Sequence, residues 1–407
     1  MNGSQRPTDP LLASLAAGVA LLVAAAGTLV VGETAGWDRA IWAALHLALL
    51  GGVSQLVIGV SQFFVTAFLA TSPPSGRVTL GEIASWSVGS IAVAVGVAAG
   101  SDPLVIAGAA VLLATLALYL VVLRKLARGS LQKAPWASRW YRACTAWLVA
   151  GIVAGVMLAT GVAWSHGYLL GAHLAFNLGG WLGGAIVGTL HTFFPSLTRT
   201  QLRFPRLQPV TFLLWNLGVA GLALGYGFGQ GDVAVAGWAL LLGAACTLTV
   251  NLVASAARAP RGLPLSARLV AWAQPFLPVG IAFALVAALD HPLTPMVGAD
   301  RAVLAVLVVA GWIGLTVAGS ILHLVSIVVR VRDFSRPVPT PNPVRDSALV
   351  AVAVGGISLL ALAQVTSVSF LRWPATSLLL LAALALAATA LRSVVLAFRL
   401  GAGGRLG

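Results

Sequence analysis

The chain has 407 residues, of which 59% are hydrophobic and only 8% charged, with a mean hydropathy of +0.98. So apolar a composition excludes a soluble globular domain or a disordered tail and points to an integral membrane protein. A formal charge of +14 looks like a nucleic-acid signature, but its distribution along the chain, given next, excludes a nucleic-acid partner.

Apolar stretches long enough to cross a bilayer core recur along the whole length. In chain order they cover 11–31, 39–70, 80–99, 103–123, 142–163, 167–194, 209–228, 233–256, 267–289, 301–329, 346–366 and 374–397. The expected fold is all-α, a polytopic transmembrane helical bundle of about 12 helices forming a single transmembrane domain over 1–407. The lipid bilayer is its first partner. With the N-terminus inside, 21 of the 24 Lys and Arg fall on one side, and only Arg39, Arg301 and Arg372 on the other. This is the positive-inside bias, so both termini are expected in the cytoplasm and the protein in the inner (plasma) membrane. The ten polar residues before the first span are too few for a cleavable signal, so no processing is expected. The connection 330–345 carries Pro337, Pro339, Pro341 and Pro343 and is expected to be extended. Cys144 and Cys246 fall inside helices and read as small packing residues.

The spans repeat with a period of four. The sixth reads GWLGGAIVGTLH from Gly180 to His191, and the tenth reads GWIGLTVAGSILH from Gly311 to His323. The second carries a weaker echo, GGVSQLVIGVS from Gly51 to Ser61. A three-fold pseudo-repeat of four helices (about 11–123, 142–256 and 267–397) would set the second, sixth and tenth spans around a centre. The competing account is chance likeness among glycine-rich membrane helices.

Those three spans hold four of the six histidines: His46, His173, His191 and His323. No Asp or Lys lies in them as a partner. An imidazole in hydrocarbon is costly unless something binds it, and a neutral imidazole without a carboxylate suits a metal, above all haem iron. His173 and His191 are 18 residues apart, five turns at the α-helical period, so they are expected to share a face with Asn177, Gly180, Gly184 and Gly188. Glycines there admit either a neighbouring helix or a flat macrocycle. By depth, His46 pairs with His173 towards the outer surface and His191 with His323 towards the inner one. Each pair is a candidate bis-imidazole site, giving one or two haem b groups; copper is the lesser expectation. The bland alternative is a histidine bonded across helices, for His323 to Thr316 or Ser320. Arg39 and Arg301 open the second and tenth spans, where they either pair with haem propionates or snorkel. His166 reads as an interfacial residue bonded to water or a propionate, and His291 as a solvated loop residue. Trp37, Trp42, Trp164 and Trp373 read as an aromatic belt. Trp181 and Trp312 occupy matched repeat positions, either flanking a porphyrin or packing between helices.

The segment AHLAFNLGGWLGGAIVGTLHTFFPSLTRTQ from Ala172 to Gln201 resembles the NnrS-type membrane proteins of the nitric-oxide response. HLALLGGVSQLVIGVSQFFVTAF from His46 to Phe68 does so more weakly, and both are more distantly similar to the catalytic subunit of haem-copper oxidases. The resemblance is specific over about 55 residues and architectural elsewhere. It implies twelve helices, a pseudo-three-fold repeat and a low-spin haem on His46. The departures are Ala175 where a second histidine is usual, no His-His pair in the seventh span, and no His-x-His in the tenth. Glu82 sits at a helix edge, leaving no embedded carboxylate to carry protons. Oxygen reduction at a haem–copper centre is therefore not expected, and b-type haem without copper is. The expected function is electron transfer, or binding of a diatomic gas such as nitric oxide or oxygen; if an enzyme, the protein is an oxidoreductase. The competing class is a transporter for copper, haem or a neutral small molecule, which the glycine-rich helices and repeat would also suit. An electron donor is implied by the first reading but no residue identifies it. The glycine faces serve contacts within one bundle or within a homo-oligomer, and both stay open.

Overall fold

The computed structural model describes residues 8–130, 136–260, 262–333 and 342–403, which are helical almost throughout, with no strand among them. Twelve helices are long and apolar enough to span a membrane. They are α1 (Asp9–Thr34), α2 (Ala40–Leu69), α3 (Gly76–Ala99), α4 (Asp102–Arg128), α5 (Trp136–Ala159) and α6 (Leu169–Thr198). The rest are α7 (Leu207–Gly227), α8 (Gly231–Ala256), α9 (Leu265–Asp290), α10 (Arg301–Arg332), α11 (Pro343–Thr366) and α12 (Arg372–Gly403). The protein is thus an all-α polytopic helical bundle, and each expected span corresponds to one helix. Pro337, Pro339 and Pro341 lie outside the described residues. Pro343 instead opens α11, where its missing N–H is one that no helix turn would use, and Asn342 caps the same turn by accepting from the Arg345 amide.

The chain forms two compact units, one of Met1–Ser165 with His173–Ala185, the other of His166–Ala172 with Ile186–Gly407. Within both, large apolar side chains such as Val30, Ile41, Leu80, Val253 and Leu289 are exposed on the helices. Such surface suits lipid, and helices are the form in which a backbone satisfies its own polar groups there.

Three helices depart from the α form. Each of α2, α6 and α10 contains a π-helical segment, at Leu47–Val53, Ala175–Gly183 and Ala305–Gly314. A π turn takes up about one more residue than an α turn and shifts backbone carbonyls from their usual partners. In α2 those carbonyls are met by side chains: Trp86 Nε1 donates to the Leu50 oxygen at 2.9 Å and Ser54 Oγ to the Leu49 oxygen at 2.8 Å. The deep indoles at matched positions are likewise bonded, Trp181 Nε1 to Ser54 Oγ at 2.8 Å and Trp312 Nε1 to Gln274 Oε1 at 3.1 Å. Both rings are 1% exposed, so they are packing residues with satisfied N–H groups.

Hairpins whose sequences share no continuous motif pack in the same way. In the α3–α4 hairpin, a methyl added at Gly89 would lie 2.9 Å from Leu112 and 3.0 Å from the Gly108 oxygen; one at Gly96 would lie 2.8 Å from the Val105 nitrogen. In the α7–α8 hairpin the same contacts join Gly218 to Leu241 and Gly237, and Gly225 to Ala234. All five pairs of equivalent residues are 129 positions apart. The connecting turns match too: Gly100 and Gly229 have φ near +65°, and the next amide in each, Ser101 or Gln230, bonds back to the Gly96 or Gly225 oxygen. Ala70 and Arg199, again 129 apart, end α2 and α6 in the left-handed conformation. The α11–α12 hairpin repeats the plan with Ser367 at the left-handed turn and Gly356 beneath Leu378 and Leu379. These hairpins are thus built alike.

The preceding helix packs on a glycine at each π segment. Leu21 of α1 lies over Gly51, Trp147 of α5 over Gly180, and Phe276 of α9 over Gly311. These glycines admit a neighbouring side chain.

Candidate metal centre

His46 and His173 meet within the first unit. Their rings are 6.4 Å apart between centroids and tilted by only 24°. His46 lies at the last α-helical position before the π segment of α2, and His173 two residues before that of α6. Each imidazole thus comes from the turn that leads into a π segment.

Each ring has its Nδ1 fixed by a backbone carbonyl, His46 by Trp42 at 2.9 Å and His173 by Gly151 at 3.0 Å. A carbonyl oxygen only accepts, so His46 Nδ1 carries the proton and its Nε2 presents a lone pair; His173 Nδ1 also has Asn177 Nδ2 at 3.3 Å, and takes the same tautomer where it donates to the nearer Gly151 oxygen. No described residue bonds either Nε2. A carbonyl-held Nδ1–H with a free Nε2 is the usual state of a metal-ligating histidine.

The surroundings hold the rings in place. Trp42 stacks on His46 at 3.9 Å between centroids, from one helical turn away. Asn177 Nδ2 donates to the His173 carbonyl at 2.8 Å, and its amide packs against Gly151. A methyl added at Gly155 would lie 2.9 Å from His173 Cε1, so this glycine makes room for the ring. Both histidines are half-buried, as are Leu47–Leu50 and Leu174, Phe176 and Asn177. Sequence reasoning placed Trp42 in an aromatic belt and passed over Gly151 and Gly155. The i, i+4 spacing of Trp42 to His46 and the four-residue glycine spacing on α5 were the available signals.

The remaining candidates are placed differently. Gly180 is covered by Trp147, which fills the face where a macrocycle was entertained. Gly184 follows the π segment as the first residue of the α-helical part of α6, which runs on to Thr198. Because the π segment lies between His173 and His191, the five-turn count that put them on one face does not hold. In the second unit, His191 Nδ1 goes to the Val187 carbonyl of its own helix at 2.8 Å, and His323 meets Phe193 edge-on at 5.4 Å. Thr316 and Ser320 bond Gln274 and the Thr316 carbonyl respectively, not His323. The Arg39 guanidinium donates to the Val97 carbonyl at the end of α3, a helix-terminal role. Arg301 is exposed at the start of α10. His166 lies beside Phe228, and His291 is exposed at the end of α9. Cys144 is buried and Cys246 exposed, each as a free thiol.

One expectation is corrected. Glu82 is not at a helix edge: it lies six residues into α3, is 2% exposed, and accepts from Gln62 Nε2 at 3.0 and 2.9 Å. Sequence position near a helix start hid it, because α3 begins earlier than its apolar run.

No group of three or more His, Cys, Asp or Glu able to hold a metal occurs among the described residues. A two-imidazole site needs the remaining ligands from elsewhere, as a porphyrin would supply to iron. No protein-family model matches the chain, and no curated protein matches it.

Proposed function

We propose that the protein is a membrane haem protein in which His46 and His173 are the axial ligands of one b-type haem, and that its work is electron transfer. The observation that carries this is the pair of near-parallel imidazoles, 6.4 Å apart between centroids, with both Nδ1 atoms at backbone carbonyls and neither Nε2 bonded by a described residue. Haem held by these two histidines would supply one-electron oxidation and reduction. Trp42, Gly151 and Asn177 orient the rings, and Gly155 leaves room for one of them. The haem-copper-like architecture, the NnrS resemblance and the inner-membrane location with both termini cytoplasmic belong to the same reading.

The test is optical. Protein purified in detergent from haem-replete cells is expected to show a Soret band and sharp reduced α-bands. His46→Ala and His173→Ala each remove one axial ligand, so each is expected to lose haem or convert its spectrum to a high-spin form. A colourless parent protein, or unchanged spectra in both variants, overturns the proposal.

A further inference from the structure

We infer that the first unit holds a buried water-binding site between α1, α2 and α3, in which a single water molecule bridges the hydroxyls of Thr66 and Thr79. This inference goes beyond the haem reading and does not depend on it. Here α1 meets α2 directly, Ser14 against Gly59, and α2 meets α3 through the Gln62–Glu82 hydrogen bonds. Gln62 and Thr66 are four residues apart on α2, and Thr79 and Glu82 three apart on α3, so each pair shares one face of its helix. The two threonines therefore lie on the faces that those hydrogen bonds join.

The two hydroxyls set this pair apart. A threonine inside a helix can donate to the carbonyl four residues back, and Thr28, Thr115, Thr145, Thr198, Thr211 and Thr389 all do so, at 2.7–3.0 Å. Thr66 Oγ1 and Thr79 Oγ1 make no such bond. Both atoms are buried, and neither has a hydrogen-bond partner among the described residues. Thr79 as a whole is 5% exposed. A buried hydroxyl turned away from its own helix is costly unless another group bonds it.

The second observation is the space beside them. Both threonines line a cavity of about 20 Å³, together with Ser14, Gln62, Pro73 and Pro74. One water needs roughly 10–15 Å³ of such space, so the cavity takes a water and excludes an organic ligand. Its polar lining is hydroxyl and amide only, which matches a neutral occupant. Water has two donors and two acceptors, and a threonine hydroxyl both donates and accepts, so the two are complementary. A buried water makes about three hydrogen bonds. The threonines supply two, and Ser14 and Gln62 stand in the same lining for a third. The water thus ties α2 to α3 one turn from the Gln62–Glu82 bonds, beside the Pro73–Pro74 connection.

The experiment compares Thr66→Val, Thr79→Val and the double variant with the parent by thermal unfolding of the full-length protein in detergent. Valine keeps the shape of threonine and removes the hydroxyl. Taking one hydroxyl from a shared water leaves that water a bond short, so each single variant is expected to lower Tm. The double variant releases the water altogether and is expected to lose less than the sum of the two. In a dry cavity each substitution would instead remove an unsatisfied polar group, so a Tm unchanged or raised by either single variant overturns the inference. Losses that add or exceed the sum also overturn it, since the two hydroxyls would then share no ligand. A density map of the parent protein that resolves ordered water gives a readout that needs no variant. A peak within hydrogen-bonding distance of both threonine oxygens is expected, and a map without one overturns the inference.

Discussion

An imidazole in an apolar span commits the surrounding residues to holding it, and Gly155 makes this commitment testable. Its missing side chain leaves the space that His173 Cε1 occupies, and any Cβ there would lie at 2.9 Å. Gly155→Leu is therefore expected to displace the His173 ring and lower haem content or shift the α-band. Gly81→Leu is the control, since a Cβ at that helical glycine meets nothing within 4 Å. Equal spectra for both variants would show that the room beside His173 does not matter. The histidines themselves were legible in the sequence because imidazoles are rare in hydrocarbon-length runs. Their partners were not: Gly151 lies 22 residues from His173, and only the packing of α5 on α6 brings its carbonyl to the ring. Glu82 was misplaced because α3 starts at Gly76, ahead of its apolar run, so a residue at the edge of that run lies well inside the helix.

The existence and order of the helices could be read directly, because twelve apolar runs separated by polar residues leave few alternatives in a bilayer. The π segments could not, since counting residues on a 3.6 period presumes the geometry they break. The glycine ladder was visible where it formed a continuous motif, in α6 and α10. It was invisible in α3–α4 and α7–α8, where the matching glycines are scattered and only their contacts are alike. Those contacts set an element-scale prediction. A methyl at Gly108 would lie 2.9 Å from the Gly89 oxygen, and one at Gly237 3.0 Å from the Gly218 oxygen. Backbone cannot yield as a flexible side chain does, so overpacking at either site costs about 1–3 kcal/mol or more. Gly108→Val and Gly237→Val are each expected to lower Tm, and by similar amounts because the two hairpins have the same construction. A large loss at one site with none at the other would show that the 129-residue correspondence does not extend to energetics.

At the scale of the whole chain, the charges and the helix count make a joint statement about orientation. An even number of spans would put the segments flanking α1 and α12 on one side of the bilayer. The α4–α5, α6–α7, α8–α9 and α10–α11 connections carry the Arg and Lys residues, whereas the α1–α2, α3–α4 and α7–α8 turns carry Glu33, Asp38, Asp102 and Asp232. Each Lys or Arg near an anionic cytoplasmic surface contributes about 1 kcal/mol, so an imbalance of 21 to 3 leaves one orientation favoured. Single cysteines introduced at Ala35 and Ala257, with Cys144 and Cys246 replaced by alanine, read this out with a membrane-impermeant maleimide. Both positions are exposed, at the end of α1 and the end of α8. Ala35→Cys is expected to react in intact cells, and Ala257→Cys only after permeabilisation. The reverse pattern would invert the protein and place His46, near the α1–α2 turn, at the cytoplasmic side. The His46–His173 pair would then face a cytoplasmic electron donor instead of one on the outer face, so the labelling result also decides where the redox partner of the proposed haem is to be sought.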